Sequence, residues 1–286
     1  MGQPMASRLL QAGYALQVWN RTQSKTRPCQ ELGAQVGLTP GAAVQGADLV
    51  ITMLEAGPVV ERVLSEALAQ LRPGTLVIDM SSTRQSEALA LHGWLAGHGI
   101  GFVDAPVSGG VLGAESGKLA IMAGASEENF ERAKPVLAVL GNPTLVGPPG
   151  SGQLAKLCNQ LIVGGTLHLV AEALLLAQAG GANPAAVRQA LRGGFAESKI
   201  LEVHGQRMLD RNFMPGGQVK SQSKDMDNIL AAARAAALQL PQAALITEVY
   251  HRLLDTDPHA DQSAALLDLE RSNPGFRLGT GKDSKP

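Results

Sequence analysis

The sequence predicts an α/β domain built on a parallel sheet, followed by an all-helical domain. Three observations carry that prediction. Through the first 140 residues, short apolar runs alternate with stretches of helical periodicity. From 141 to 152, glycine and proline interrupt regular structure. Beyond 152 every patterned stretch reads as helix. A chain of 286 residues has room for two domains of ordinary size.

In chain order, Met5, Leu9 and Leu10 share one face of an opening helix that Gly13 can end. Residues 15–19 read as a strand, followed by Asn20-Arg21-Thr22. Further strands are expected at 49–53, 76–79 and 101–104, separated by helices at 24–32, 58–71 and 84–97. A strand at 119–123 and a helix at 127–140 complete this half. Alternating strands and helices imply a sheet covered on both faces, with any ligand at the carboxyl ends of the strands. In the second half, helices are expected at 153–179, 184–191, 199–210, 220–238, 242–254 and 261–269. Asn183-Pro184 and Leu240-Pro241 supply start signals. From Ser272 the chain is rich in Gly, Pro and Lys, and a mobile tail is expected.

Lys and Arg number 24 against 25 Asp and Glu, so nothing points to a nucleic-acid surface or a basic membrane arm. Cys29 and Cys158 lie far apart and fit a reducing compartment better than a disulfide framework. With no signal-like apolar core before Arg8, a cytoplasmic location is the expectation. No metal-ligand cluster is visible among six His and two Cys. The run 161–179 is apolar enough to raise a membrane question, but His168, Glu172 and Gln178 interrupt it, and a buried helix is the better reading.

Two stretches carry chemistry. Gly147-Pro-Pro-Gly150-Ser-Gly152-Gln-Leu-Ala-Lys156-Leu-Cys-Asn159 opens the second half. Its glycines and prolines force a loop, and Lys156 follows about one turn into the apolar run. Asn159, three residues on, shares its helix face. Desolvation disfavours an ammonium ion and suits a lysine to proton transfer, although a snorkelling lysine at a helix start is the plainer reading. The second stretch is Phe102-Val-Asp104-Ala-Pro106-Val-Ser108-Gly109-Gly110. A serine hydroxyl beside two open amides suits a carboxylate, and a tight glycine turn is the plainer alternative.

The spacing Gly147-x-x-Gly150-x-Gly152-x-x-x-Lys156-x-x-Asn159 resembles the catalytic motif of the β-hydroxyacid dehydrogenase family. That family includes 3-hydroxyisobutyrate dehydrogenase, tartronate semialdehyde reductase and glyoxylate/succinic semialdehyde reductase, with 6-phosphogluconate dehydrogenase as a larger relative. The resemblance runs from Gly2 to about Glu270. It implies a Rossmann-like NAD(P)-binding domain at 1–150, an α-helical dehydrogenase domain at 151–271 opened by a long interdomain helix, and the tail 272–286. It implies Lys156 as general acid/base, Asn159 as a substrate-holding residue, and Ser108, Gly109 and Gly110 as the holders of the acid group. Imine reductases share the architecture but usually replace the lysine, so Lys156 argues against them.

On the cofactor side, the family pattern resembles Gly-x-Gly-x-Met-Gly-x-Pro-Met-Ala, whereas this chain begins Met1-Gly2-Gln3-Pro4-Met5-Ala6. Gly2 then corresponds to the third glycine, and the first strand with two glycines is absent. The expectation is that the functional protein carries about ten more residues upstream, one strand and a tight turn. A truncated, non-catalytic ligand-binding protein is the rival from another class. Asn20, Arg21 and Thr22 follow the second strand without an acidic residue, which leans toward NADP over NAD; a polar helix cap is the ordinary alternative. Met53 and Leu54 resemble the strand end beside the cofactor riboses, with Glu55 where the family often has Pro. Asp79-Met-Ser81-Ser82-Thr83 resembles a turn on the nicotinamide side and makes Thr83 a candidate, helix capping being the bland alternative. Phe213-Met-Pro215-Gly216-Gly217 followed by Lys224-Asp225 resembles a segment whose lysine reaches the nicotinamide, so Lys224 joins the set; a surface Lys-Asp pair is the default. The expected activity is hydride transfer between NAD(P) and a short hydroxy acid or semialdehyde. Tartronate semialdehyde leads, and 3-hydroxyisobutyrate, glyoxylate and succinic semialdehyde stay open. The long apolar helix exceeds what a small helical domain buries, so a homodimer or homotetramer is expected.

Overall fold

In the computed structural model, which describes residues 1–286, the chain opens on helix α1 (Gly2–Gln11), with Met5 and Leu9 buried on one face. Strand β1 (Gln17–Val18), helix α2 (Arg27–Glu31), strand β2 (Gln35–Val36) and helix α3 (Pro40–Val44) follow. Then come β3 (Leu49–Thr52), α4 (Gly57–Ala67), β4 (Leu76–Asp79), α5 (Gln85–Ala96), β5 (Gly101–Asp104), β6 (Val107–Ser108) and α6 (Gly110–Ser116). The half closes with β7 (Leu119–Gly124), α7 (Glu127–Leu140) and β8 (Gly141–Gly147). Helix α8 (Ser151–Ala179) leads into α9 (Pro184–Ala190), α10 (Lys199–Leu209), α11 (Val219–Ala235), α12 (Pro241–Thr256) and α13 (Ala265–Arg271). The chain divides into two units, Met1–Lys156 and Leu157–Pro286, so the division falls inside α8.

In the first unit, β3, β4 and β5 pair in parallel with matched register, Leu76 opposite Leu49 on one side and Gly101 on the other. Every residue of β4 is buried, as a central strand covered on both faces requires. Alternation sends Leu76, Ile78 and Val103 to one face, with Met5 and Leu9 of α1 and Leu137 of α7. It sends Val77 and Phe102 to the other, with Val60 and Leu64 of α4 and Leu91 and Leu95 of α5. At β7 the pairing with β5 and β6 turns antiparallel, and β8 runs parallel beside β7. Strands β1 and β2 form a separate parallel pair. In a doubly-wound sheet one strand would stand between β1 and β3; here β3 is the edge of its sheet and β1 has β2 as its neighbour.

The second unit is helical. Leu167, Leu174 and Val170 of α8 pack with Met208 of α10, Met226 and Ile229 of α11 and Tyr250 of α12. Gly164 of α8 allows this approach, because a Cβ there would stand 2.8 Å from the Gln222 amide nitrogen and 3.3 Å from Met226 Sδ.

Several elements differ from expectation. The helix expected at 24–32 is a 3-10 turn, Gln23–Thr26, followed by the short α2. Strand β8 fills a stretch expected as a loop. The tail is also not loose. Leu278 is fully buried, and the Phe213 amide donates to Ser284 O while the Ser284 amide donates to Arg211 O. Lys285 pairs with Asp257 at 2.7 Å. Composition suggested mobility; the ion pairs that hold the tail involve residues far away in sequence.

Candidate active site

The glycines before Lys156 have distinct jobs. Gly150 has φ +88°, a conformation that side chains rarely adopt. Gly152 sits where a Cβ would lie 2.4 Å from both Asp104 O and Met122 O, so the first turn of α8 rests directly on β5 and β7. Asp104, fully buried at the end of β5, accepts from Gly150 N at 2.7 Å through one carboxylate oxygen and from Gln153 N at 2.8 Å through the other. Gln153, also fully buried, donates to Ser81 O at 2.8 Å and accepts from Thr83 N at 3.0 Å. The helix start is thereby tied to the ends of β4 and β5.

One turn on, the half-buried Lys156 donates from Nζ to Val107 O at 2.9 Å. Its amine stands at the turn that continues into Ser108, Gly109 and Gly110. Gly109 and Gly110 have φ of +132° and +64°, so this turn depends on glycine, and Ser108 is half-buried beside them. Burial pushes both Asp79 and Asp104 up to about 6, against the lowering effect of their hydrogen bonds.

The proposed cofactor residues of this unit fall into two groups. A Cβ on Gly2 would touch Met53 at 3.7 Å, and Leu54 N donates to Ser81 Oγ at 2.9 Å. Gly2, Met53, Leu54 and Thr83 thus gather at the carboxyl ends of β3 and β4. The Thr83 hydroxyl is buried there with no partner, as a group awaiting a polar ligand would be. Asn20, Arg21 and Thr22 lie after β1, where Asn20 accepts from Thr22 N at 2.9 Å. Asn20 and Arg21 line a cavity of about 780 Å³ with Trp19, Gly37, Thr39 and Gln70.

In the second unit, Asn159 donates to Gln160, which donates to Asp225 Oδ2 at 2.7 Å; Asp225 faces Lys224 Nζ at 3.4 Å through its other oxygen. A chain of side-chain contacts therefore joins Asn159 to Lys224.

Two family models cover almost the whole chain. Residues 1–152 match the NAD binding domain of 6-phosphogluconate dehydrogenase, and residues 150–269 match the NAD-binding domain of NADP-dependent 3-hydroxyisobutyrate dehydrogenase. The chain is 42% identical to 2-hydroxy-3-oxopropionate reductase of Escherichia coli (strain K12) over 94% of each protein. The chain belongs to the 3-hydroxyisobutyrate dehydrogenase/tartronate semialdehyde reductase family. Another member, an NAD-dependent L-serine dehydrogenase of Pseudomonas aeruginosa, is 34% identical over 89% of each chain. The solved 3-hydroxyisobutyrate dehydrogenase of Mycobacterium tuberculosis with L-serine has a TM-score of 0.87 at 30% identity, covering 94% of this chain and 95% of that one. As a member of this family the protein is an NAD(P)-dependent hydroxyacid dehydrogenase, with the Rossmann-like sheet and helical domain that the sequence implied.

Sequence reasoning passed over Asp104 and Gln153 as site-building residues of this dehydrogenase. A signal existed: an aspartate ending the apolar run Gly101–Asp104 of a buried strand needs partners, and a glycine-flanked helix start offers free amides.

Proposed function

We propose that this enzyme reduces tartronate semialdehyde, also called 2-hydroxy-3-oxopropionate, with a preference for NADPH. The observation that carries the reaction is the Lys156 amine held at the turn leading into Ser108. A bound reduced nicotinamide supplies hydride to the carbonyl carbon. Lys156 Nζ gives the proton to the carbonyl oxygen, and in the oxidising direction its neutral amine takes the proton back. Ser108 and the Gly109 and Gly110 amides receive the acid group, and Asn159 helps hold the substrate. Gly2, Met53, Leu54, Thr83 and Lys224 hold the cofactor, with Asn20, Arg21 and Thr22 at its adenosine end. The Thr83 hydroxyl without a partner and the cavity beside Arg21 both fit such a ligand.

The substrate choice is supported by the 42% identity to the Escherichia coli reductase. The cofactor choice is supported by Arg21, a cation suited to a 2′-phosphate, at a strand end that lacks the acid an NAD ribose needs. A kinetic screen tests both. Tartronate semialdehyde with NADPH is expected to give the highest kcat/KM, above 3-hydroxyisobutyrate, glyoxylate, succinic semialdehyde and L-serine. A better substrate among these, or a clear NADH preference, would revise the corresponding half of the proposal.

The assembly is a homo-oligomer formed through α8. Ile162, Leu169 and Leu176, spaced by seven residues, are 68%, 66% and 74% exposed, and Cys158 lies on the same stripe. Such spacing suits a second helix packed along the first. Light scattering of wild type should report a dimer or larger, and Ile162→Glu with Leu169→Glu should shift it to monomer. A monomeric wild type at tens of micromolar would contradict this.

A further inference from the structure

We infer that Asp104 is the positioning residue that fixes Lys156 against the substrate turn. The inference rests on the proposed role of Lys156 and extends it to a residue that touches neither substrate nor cofactor. The segment from Asp104 to Val107 grips the start of α8 at two heights. The Asp104 carboxylate takes the amides of Gly150 and Gln153, and three residues later the Val107 carbonyl takes the Lys156 ammonium. The same short segment runs directly into Ser108. One aspartate therefore fixes the distance between the proton donor and the residues proposed to hold the acid group.

The contact has no slack. A Cβ on Gly152 would meet Asp104 O at 2.4 Å, and one on Gly124 would meet Asp104 Oδ1 at 2.5 Å. Gln153 adds a second tether to Ser81 and Thr83. An anion suits the place, because the first amides of a 29-residue helix carry positive potential and have no intrahelical partner. Charge-assisted acceptance holds them more strongly than a neutral group would. The acidic neighbour that acts on it is Asp79 on β4, itself influenced by Glu87 of α5; Lys156 follows one turn beyond Gln153 on α8, held at Val107 O. Burial and the Asp79 charge raise Asp104 to about 6, so it is mostly ionised at neutral pH and loses its charge below that. Lys156 as general acid stays protonated as pH falls, so it cannot itself cause an acid-side loss of reduction.

The test is Asp104→Asn in the full chain, with rates expressed per cofactor site titrated by nicotinamide fluorescence. Asparagine keeps the size but turns a donor toward one of the two amides. The expected result is a kcat about 10²-fold lower, the scale of an ångström's misplacement. Cofactor Kd should stay within threefold; wild-type kcat is expected to decline below about pH 6, and that decline should be absent from the variant. A variant that is merely less stable would keep its kcat per titrated site. A kcat within twofold of wild type would overturn the inference, as would an acid limb that persists in Asp104→Asn and is lost in Asp79→Asn. Should Asp104→Asn fail to fold, amide exchange in wild type decides. Intrinsic-rate-corrected exchange at Gly150 and Gln153 should accelerate as pH falls through about 6 in step with kcat, and pH-independent protection would overturn the inference. Lys156→Ala is run alongside. Full activity in that variant removes the functional reading itself, whereas its loss together with a fully active Asp104→Asn removes this inference alone.

Discussion

Replacing Lys156 by alanine is expected to lower turnover by about 10²–10⁴, the usual worth of a positioned general acid or base. The cofactor Kd, read from quenching of nicotinamide fluorescence, should be unchanged. The fold should survive. Lys156 is only half-buried, alanine is the best helix former, and water can replace the ammonium at Val107 O. What disappears is the proton for the developing alkoxide. The loss should therefore fall on kcat and kcat/KM together. Near-normal turnover in purified variant would show that the amine beside the Ser108 turn is structural.

The second large effect is on stability. Arg211, two residues beyond the end of α10, has φ +52° and is 1% exposed. It makes a two-pronged pair with Glu270 at 2.8 and 2.9 Å, donates to Leu278 O at 2.8 Å, and pairs with Asp283. Its guanidinium also lies 5.7 Å from the centre of the Phe213 ring. Arg211→Ala would leave Glu270 without its cation, leave Asp283 to Arg277 alone, and free the tail that carries Leu278. Removing one partner of such a buried pair typically costs about 3–5 kcal/mol. At about 2–4 °C per kcal/mol for a chain of this size, the melting temperature should fall by roughly 10 °C. Thermal unfolding followed by circular dichroism checks it. A fall of only a degree or two would mean that the tail contributes little to the second unit.

Strands β3, β4 and β5 were legible because buried parallel strands are continuous apolar runs bounded by turn residues. Helix α8 was legible because nothing in its 29 residues breaks it. Strand β8 was not, because Gly141, Pro143 and Gly147 read as loop punctuation. It pairs with β7 alone, and proline is tolerated on such an edge strand. The tail was misjudged for a related reason: composition cannot show that Asp283 meets Arg211 or that Lys285 meets Asp257. At the site, the lysine and the serine–glycine turn stood out through spacing. Asp104 and Gln153 did not, because their chemistry consists of burial and partners 46 to 72 residues away.

The central claim is that the Lys156 amine gives and takes the proton on the oxygen borne by the carbon that exchanges hydride. The most direct measurement is a crystal structure of the dead-end complex with reduced cofactor and the hydroxy-acid product. The account predicts Lys156 Nζ at about 2.6–3.2 Å from the product hydroxyl, with the carboxylate on Ser108 and the Gly109 and Gly110 amides. A carboxylate bound elsewhere, or a hydroxyl out of reach of that amine, would contradict it.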